Sequence, residues 1–517
     1  MATIDTPVPQ AWPRRVARRR DRRRFALSAV AVLSSLASVD AAVHAMAMPQ
    51  VVRGFEMGSE AAGSASWIGS AVTVALLLGA GVLGDRIGRR PLLIAGGIGV
   101  VIGCLVSTFA ADEWIFLGGR VVTGMATAAI VVTTLSVMPG LFFASELPAV
   151  VGMWLAVQSA AVLTGALCGG VLVTEIGWRT GYLMTAGMAT VVLGLGWLVV
   201  PAAERAPDRR VDTVGALLAG AALAVLLVGV GSAVEIGWRS AVVVGSIAAA
   251  AGLAALFVWW ERRRPDPALP MRLMRSTPFA AACVAGIANE VAAAVYLLPI
   301  VALLSSPAEP TLTALVLAVP MFLGMIIGAV LSGSARQQRV SLRALLVSGL
   351  LCCACGTLLG ACVDVRNESW LYATAGTIVG FGVMWTRVPQ SSVIIAAVSP
   401  EHAGSAAAVQ AAALRIGLVL GPAALGPIVV VFGGDGPAAF FHGFPAALRV
   451  TAVVLAAAAA AIGVLMYNHR ARTTVGAASY CRYRAGQGRR ARLGGSAIRD
   501  VMGSDRAASD HAGRRER

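Results

Sequence analysis

Gly81-Val82-Leu83-Gly84-Asp85-Arg86-Ile87-Gly88-Arg89-Arg90-Pro91-Leu92-Leu93 is a short charged stretch between two long apolar runs, about 62–83 and 91–110. Each run is long enough to cross a bilayer as a helix, which takes ~20 apolar residues. So short a link makes the two helices antiparallel neighbours. Its four charges, Asp85, Arg86, Arg89 and Arg90, place it in water, with the arginines on the cytoplasmic side. Gly84 and Gly88 permit a tight turn, and Pro91 suits the first position of the following helix.

The rest of the chain has the same character. Of 517 residues, 57% are hydrophobic and 13% charged, with a mean hydropathy of +0.78. Soluble domains carry about 25% charged residues, so this composition is that of a membrane protein. All 42 basic residues are arginine. The net charge of +16 does not point to nucleic acid, because the arginines fall in particular loops and not on one face of a domain. Seven of the eight cysteines lie in apolar runs and read as small buried hydrophobes, not as metal ligands or disulfides. Arg22-Arg23-Arg24-Phe25 faintly resembles a twin-arginine export signal, but the apolar run after it is too long for one and reads as a first span.

Apolar runs place fourteen spans, at about 25–48, 62–83, 91–110, 114–137, 148–174, 180–200, 213–234, 240–260, 278–303, 311–333, 342–363, 369–398, 403–432 and 446–467. Alternate connections, counted with both tails, hold 34 arginines; the opposite set holds 5, and Arg120, Arg387 and Arg415 lie inside spans. That asymmetry puts both termini in the cytoplasm. Trp67, Trp114, Trp178, Trp238 and Trp370 fall near the external ends, where an aromatic belt is expected. The expected organisation is a basic cytoplasmic tail (1–24), a six-helix bundle (25–200), an inserted helix pair with its linkers (201–277), a second six-helix bundle (278–467) and a disordered cytoplasmic tail (468–517). Transporters are often built from two such halves with the site between them.

With the spans placed, Gly81, Leu83, Asp85, Arg86, Gly88, Arg89 and Arg90 resemble, position by position, the loop signature of the major facilitator superfamily. Its second-half counterpart, Leu331-Ser-Gly-Ser-Ala-Arg336, lacks the Asp. Further motifs resemble the fourteen-helix drug:proton antiporters within that superfamily. Span 1 has Asp40 nine residues before Pro49, with His44 one turn on. Span 4 has Arg120-Val-Val-Thr123-Gly124, with Thr123 where the family has Gln. Span 5 has Gly165-Ala166-Leu-Cys-Gly169-Gly170, a helix-packing motif in which Ala166 replaces the usual Pro. The basic stretch from Glu261 to Arg275 resembles the linker that follows the family's inserted helix pair, and reads equally as a plain basic anchor.

An acid inside a span costs about 2.5–3.5 kcal/mol on insertion scales and is functional by default. At ~1.5 Å per residue, Asp40 and Arg120 lie within reach of one another, and Glu290 and Arg387 lie at similar depth, about 17–18 Å above their inner ends. Once the inserted pair is skipped, these four charges occupy the four helices that line the cavity of a facilitator. Asp40, Arg120 and Glu290 are the candidates for proton coupling. Those three with His44 and Arg387 are the cavity candidates, although His44 is also explained as a polar residue near the outer end. A structural salt bridge is an equal reading of Glu290 with Arg387. Ser399-Pro400-Glu401 opens span 13 with helix-start signals, and Ser399 joins Gly81, Asp85, Arg86, Gly88, Arg89 and Arg90 as a cytoplasmic gate, in which the resemblance implies that Asp85 faces the start of span 13 when the protein is closed to the cytoplasm.

The resemblance implies an all-α major facilitator fold, in a bacterial inner membrane, that exports small, often amphipathic molecules in exchange for protons. It implies a monomer with a small-molecule substrate and lipid around it, no nucleic acid, no metal and no cofactor beyond the proton gradient. No nucleotide-binding motif of the Gly-x-x-x-x-Gly-Lys type is present. Export of a self-made metabolite is an alternative within transport. A membrane-embedded enzyme or a non-transporting sensor is an alternative of another class, and scattered histidines (44, 402, 442, 469, 511) supply no catalytic cluster for the former.

Overall fold

The computed structural model describes residues 13–141, 146–199, 212–263, 276–304, 311–337, 340–363, 368–396, 403–433 and 437–467. They form fourteen helices: α1 (Pro13–Gly54), α2 (Ser59–Ile87), α3 (Arg89–Thr108), α4 (Glu113–Leu141), α5 (Leu147–Glu175), α6 (Trp178–Val199), α7 (Thr213–Ile236), α8 (Ala241–Glu261), α9 (Thr277–Leu304), α10 (Thr311–Gln337), α11 (Leu342–Gly360), α12 (Ser369–Ala396), α13 (Ala403–Gly433) and α14 (Pro437–Tyr467). Among the described residues, twelve are long and apolar enough to cross a membrane. Helix α12 falls short of that measure, carrying Thr386, Arg387, Gln390, Ser391 and Ser392 in its second half. Helices are the economical solution in lipid, because each satisfies its own backbone polar groups.

Two sets of six helices repeat one packing scheme. In the first half α1 packs on α5 and α6, α3 on α4 and α6, and α2 on α4. In the second, α9 packs on α13 and α14, α11 on α12 and α14, and α10 on α12. Adding eight to each first-half number gives the second-half set, which is the signature of a structural repeat. The halves meet along two equivalent seams, α2 with α13 and α5 with α10. The inserted α7–α8 hairpin lies outside both bundles, with α7 against α2 and α13. It is capped locally: Asp212 accepts from the Gly215 N–H at 2.9 Å and from the Trp260 indole N–H at 3.0 Å.

Several sequence expectations change. The charged link at 84–90 is not a loop. Asp85 and Arg86 close α2, Arg89 and Arg90 open α3, and only Gly88 lies between, at φ 98° and ψ 147°. That positive φ is open to glycine and strained for other residues. Pro91 is third in α3, still in the first turn where a missing N–H costs no helix bond. Asp85 is not in water either; it is 7% exposed.

Helix α1 begins at Pro13, so the basic segment continues the first helix. Trp178 is not a belt residue but is buried among Phe55, Phe116 and Tyr182, and Trp238 donates to the Ala423 carbonyl at 3.0 Å. Trp114 and Trp370 are exposed. Cys168, Cys355 and Cys362 are exposed, not buried. The segments 201–211, 264–275 and 468–517, and with them the linkers and the C-terminal tail, lie outside the described residues.

Candidate functional site: two ion pairs within the helix bundles and two glycine seams

At the end where the arginine-rich connections emerge, both seams between the halves are made by glycine. A Cβ added to Gly81 would sit 2.8 Å from the Gly404 carbonyl oxygen, and one added to Gly404 would sit 2.5 Å from the Gly81 oxygen. On the equivalent seam, a Cβ on Gly152 would meet the Ala329 oxygen at 2.5 Å and one on Gly333 the Pro148 oxygen at 2.9 Å. Small residues let helices in lipid approach this closely. The structure is therefore closed between the halves at this end.

Asp85 sits on the first seam. Its Oδ1 accepts from the Gly404 N–H at 3.3 Å, at the start of α13. Helix starts leave N–H groups without partners and carry about half a positive charge, so a carboxylate is favoured there. Arg89 holds the same carboxylate at 3.4 Å and donates to the Ser136 carbonyl of α4. Arg86 is exposed and Arg90 half-buried. Ser399, grouped with this site from sequence, lies outside the described residues. On the second seam, Gly333 of the degenerate motif keeps the close approach but no carboxylate replaces Asp85.

In the first half, Asp40 of α1 and Arg120 of α4 form a two-point ion pair, Nη1 to Oδ1 at 3.1 Å and Nη2 to Oδ2. The side chains are buried, 4% exposed for Arg120 and 6% for Asp40. The Cys104 thiol reaches Asp40 Oδ1 at 3.5 Å, and the Arg120 guanidinium lies over the Tyr182 ring, 5.2 Å from its centre. The Tyr182 hydroxyl is 2.7 Å from His44 Nδ1, while His44 Nε2 is 3.2 Å from the Ala65 carbonyl. A carbonyl only accepts, so Nε2 carries the proton and Nδ1 accepts from the tyrosine. His44 is thus linked through the Tyr182 hydroxyl to the ring over which the Arg120 guanidinium lies.

Helix α5 supports this arrangement from behind. A Cβ on Gly165 or Gly169 would strike Val39 or Val43, each at 2.7 Å, and these valines neighbour Asp40 and His44 on α1. Gly170 and Ala166 are also buried. The packing motif brings α5 onto α1 with no proline between its glycines.

In the second half, Glu290 of α9 pairs with Arg387 of α12. By the repeat, α9 and α12 are the counterparts of α1 and α4, so each half holds one acid and one base in equivalent helices. Asn289 beside Glu290 donates to the Val383 carbonyl at 2.8 Å and ties the same two helices together. Among the described residues no ion pair joins the two halves' pairs to each other. Tyr182 and Cys104 are missed by sequence reading, since neither a tyrosine nor a cysteine in an apolar run announces a charged neighbour on another helix.

With this geometry in view, the comparisons with known proteins are decisive for the family. The model of the Major Facilitator Superfamily matches residues 30–219 and 207–422. The chain belongs to that superfamily. It is 29% identical over 401 residues to the multidrug resistance protein Stp of Mycobacterium tuberculosis, covering 76% of this chain and 73% of that one. It is 28% identical over 421 residues to the tetracenomycin C resistance and export protein of Streptomyces glaucescens, covering 79% and 76%. It is 28% identical over 462 residues to the puromycin resistance protein pur8 of Streptomyces alboniger, covering 86% and 90%. Among solved structures, the proton:xylose symporter XylE matches with a TM-score of 0.56 at 15% identity, over 86% of this chain and 95% of that one. The human organic anion transporter TETRAN matches with a TM-score of 0.56 at 16% identity, over 84% and 99%. These two show the fold alone.

Proposed function

We propose that this facilitator exports small amphipathic compounds, antibiotics among them, from the cytoplasm of a bacterial cell in exchange for protons. The resistance proteins it resembles support the substrate class. The observation that carries the coupling is the buried pair of Asp40 and Arg120. A cation beside a carboxylate favours the charged form, and desolvation without a cation favours the neutral one. A transporter that alternates between two states has the means to join and separate such a pair. In this reading Asp40 is the residue whose proton is exchanged for substrate, and Arg120 is the residue that controls the exchange. Glu290 occupies the equivalent position in the second half and is the runner-up for this role.

The 34-to-5 arginine asymmetry supports a cytoplasmic location for the basic end and for both termini. The glycine seams then make this the cytoplasmically closed state, with the Asp85–Gly404 contact as its latch. The energy source in this reading is the proton gradient, and the working unit is the monomer, since each chain contains both halves. A second reading within transport is export of a metabolite or antibiotic that the cell makes itself; similarity to a tetracenomycin C resistance and export protein fits export of an antibiotic in either reading.

The test is a resistance and accumulation screen in an efflux-deficient bacterial host, with membrane insertion checked in parallel. Lower accumulation of at least one compound is expected. Correct insertion with no change for any compound contradicts the proposal.

A further inference from the structure

The inserted hairpin carries a groove outside the two bundles. Helix α8 stands outermost, and of its 21 residues only Val243, Ala250 and Glu261 are buried. It meets α7 at two levels and leaves a gap between them. Towards the outer end, Gly229 of α7 has no room for a Cβ against Ser246 of α8. At the basic end, the Trp260 indole N–H donates to Asp212 at 3.0 Å. Between these levels lies an entirely apolar groove of about 390 Å³. Ala219, Ala222, Ala251 and Ala254 are too small to fill it, and Leu226 and Phe257 flank it. From Ile247 to Phe257 it runs ten residues, ~15 Å, the hydrocarbon depth of one leaflet.

Ala254 also lines a second cavity, of about 530 Å³, so the two are continuous. This one opens round α8 towards the basic end, over Val258, Trp259, Arg262 and Arg263. The 21 residues of α8 span ~31 Å, close to the ~30 Å of a hydrocarbon core. Arg262 and Arg263 follow its last residue and therefore stand at headgroup level. Both are exposed, and the Arg263 guanidinium lies over the Trp259 ring, 4.1 Å from its centre. That contact orients the cation without neutralising it. The adjacent acid, Glu261, is 2% exposed and turns to α7, its Oε1 3.2 Å from where a Cβ on Gly215 would lie. Among the described residues neither guanidinium makes an ion pair or a side-chain hydrogen bond.

An apolar groove one leaflet deep that ends in two uncompensated cations has the length and polarity of a phospholipid. Guanidinium donors match a phosphate at two points. A zwitterionic headgroup brings its own cation to the arginines, whereas an anionic one does not, so the charge favours the anionic lipid. We infer that the α7–α8 hairpin binds one anionic phospholipid, with its phosphate on Arg262 and Arg263 and an acyl chain in the alanine-lined groove.

The test is native mass spectrometry of delipidated full-length protein titrated with dioleoyl phosphatidylglycerol or dioleoyl phosphatidylcholine. The first phosphatidylglycerol should bind about tenfold or more tightly than the first phosphatidylcholine. Changing Arg262→Gln and Arg263→Gln together should erase that preference. Arg343→Gln, which removes another exposed arginine at the same end, should leave it intact. Ala254→Phe, at an exposed position where the cavities join, should weaken both lipids. Glycerol 3-phosphate, which has the phosphate but no acyl chain, should not displace phosphatidylglycerol. If the double Gln variant fails to insert, the lipid ratio in the unaltered protein and the loss in Ala254→Phe still decide. Equal affinity for the two lipids, a preference that survives the double change or falls as much in Arg343→Gln, undiminished binding in Ala254→Phe, or displacement by glycerol 3-phosphate overturns the inference.

Discussion

Gly81→Ala tests whether the α2–α13 seam is what closes the basic end. The added methyl would lie 2.8 Å from the Gly404 oxygen and 3.0 Å from its carbonyl carbon. Ordinary contact begins near 3.4 Å, so the helices must part by about 0.6 Å. The obstacle is backbone, which has no rotamer to yield, and the Asp85–Gly404 hydrogen bond, already at 3.3 Å, lengthens as they part. Overpacking of this kind costs about 1–3 kcal/mol. Because only the closed state brings the two glycines together, the cost falls on that state, and the ratio of open to closed molecules should rise about 5- to 150-fold. The assay is a distance distribution between spin labels at Arg86 of α2 and Arg336 of α10, which lie at this end in opposite halves, in a background freed of native cysteines. The longer-distance population should grow in Gly81→Ala. A folded variant whose distribution matches the parent's would refute the reasoning.

Other outcomes follow from the same contacts. Removing Asp40 or Arg120 singly, as Asp40→Asn or Arg120→Gln, leaves a buried charge and should cost about 3–5 kcal/mol, with the double change costing less than the sum; additive losses in thermal unfolding contradict the pair. Glu290→Gln or Arg387→Gln alone leaves one charge of the pair without its partner and should lower the thermal midpoint more than the double change does; additive losses argue against the pair. Tyr182→Phe removes the hydroxyl that meets His44 and should cost about 0.5–1.5 kcal/mol, read in the same unfolding experiment.

The architecture is legible in the sequence because apolar length and arginine placement are one-dimensional quantities. A run of twenty apolar residues has few fates, and 34 arginines against 5 orient the chain without any knowledge of packing. The partners of Asp40 and Glu290 are legible for a related reason. Charges inside spans are rare, so depth narrows the choice to Arg120, Arg387 and Arg415, and the correspondence between the two six-span halves selects the first two. What sequence conceals is which face a residue presents. Asp85 reads from its own charged stretch as a solvated residue, and its seat at the start of α13, more than three hundred residues away, is legible only through the family resemblance. Trp178 reads as a belt residue by depth, yet it turns inward onto Phe116 and Tyr182. The degenerate motif at 331–336 looks like a lost site, whereas Gly333 retains the packing half of its role on the α5–α10 seam.

The central claim is that Asp40 carries the exchanged proton, and the most direct measurement is transport by purified protein in liposomes under an imposed pH gradient. The account predicts that the parent protein concentrates its substrate against a gradient. Asp40→Asn should abolish that uphill movement while substrate binding stays measurable. If Asp40→Asn still concentrates substrate and Glu290→Gln does not, the proton belongs to Glu290; if both variants concentrate substrate as the parent does, proton coupling through either carboxylate is contradicted.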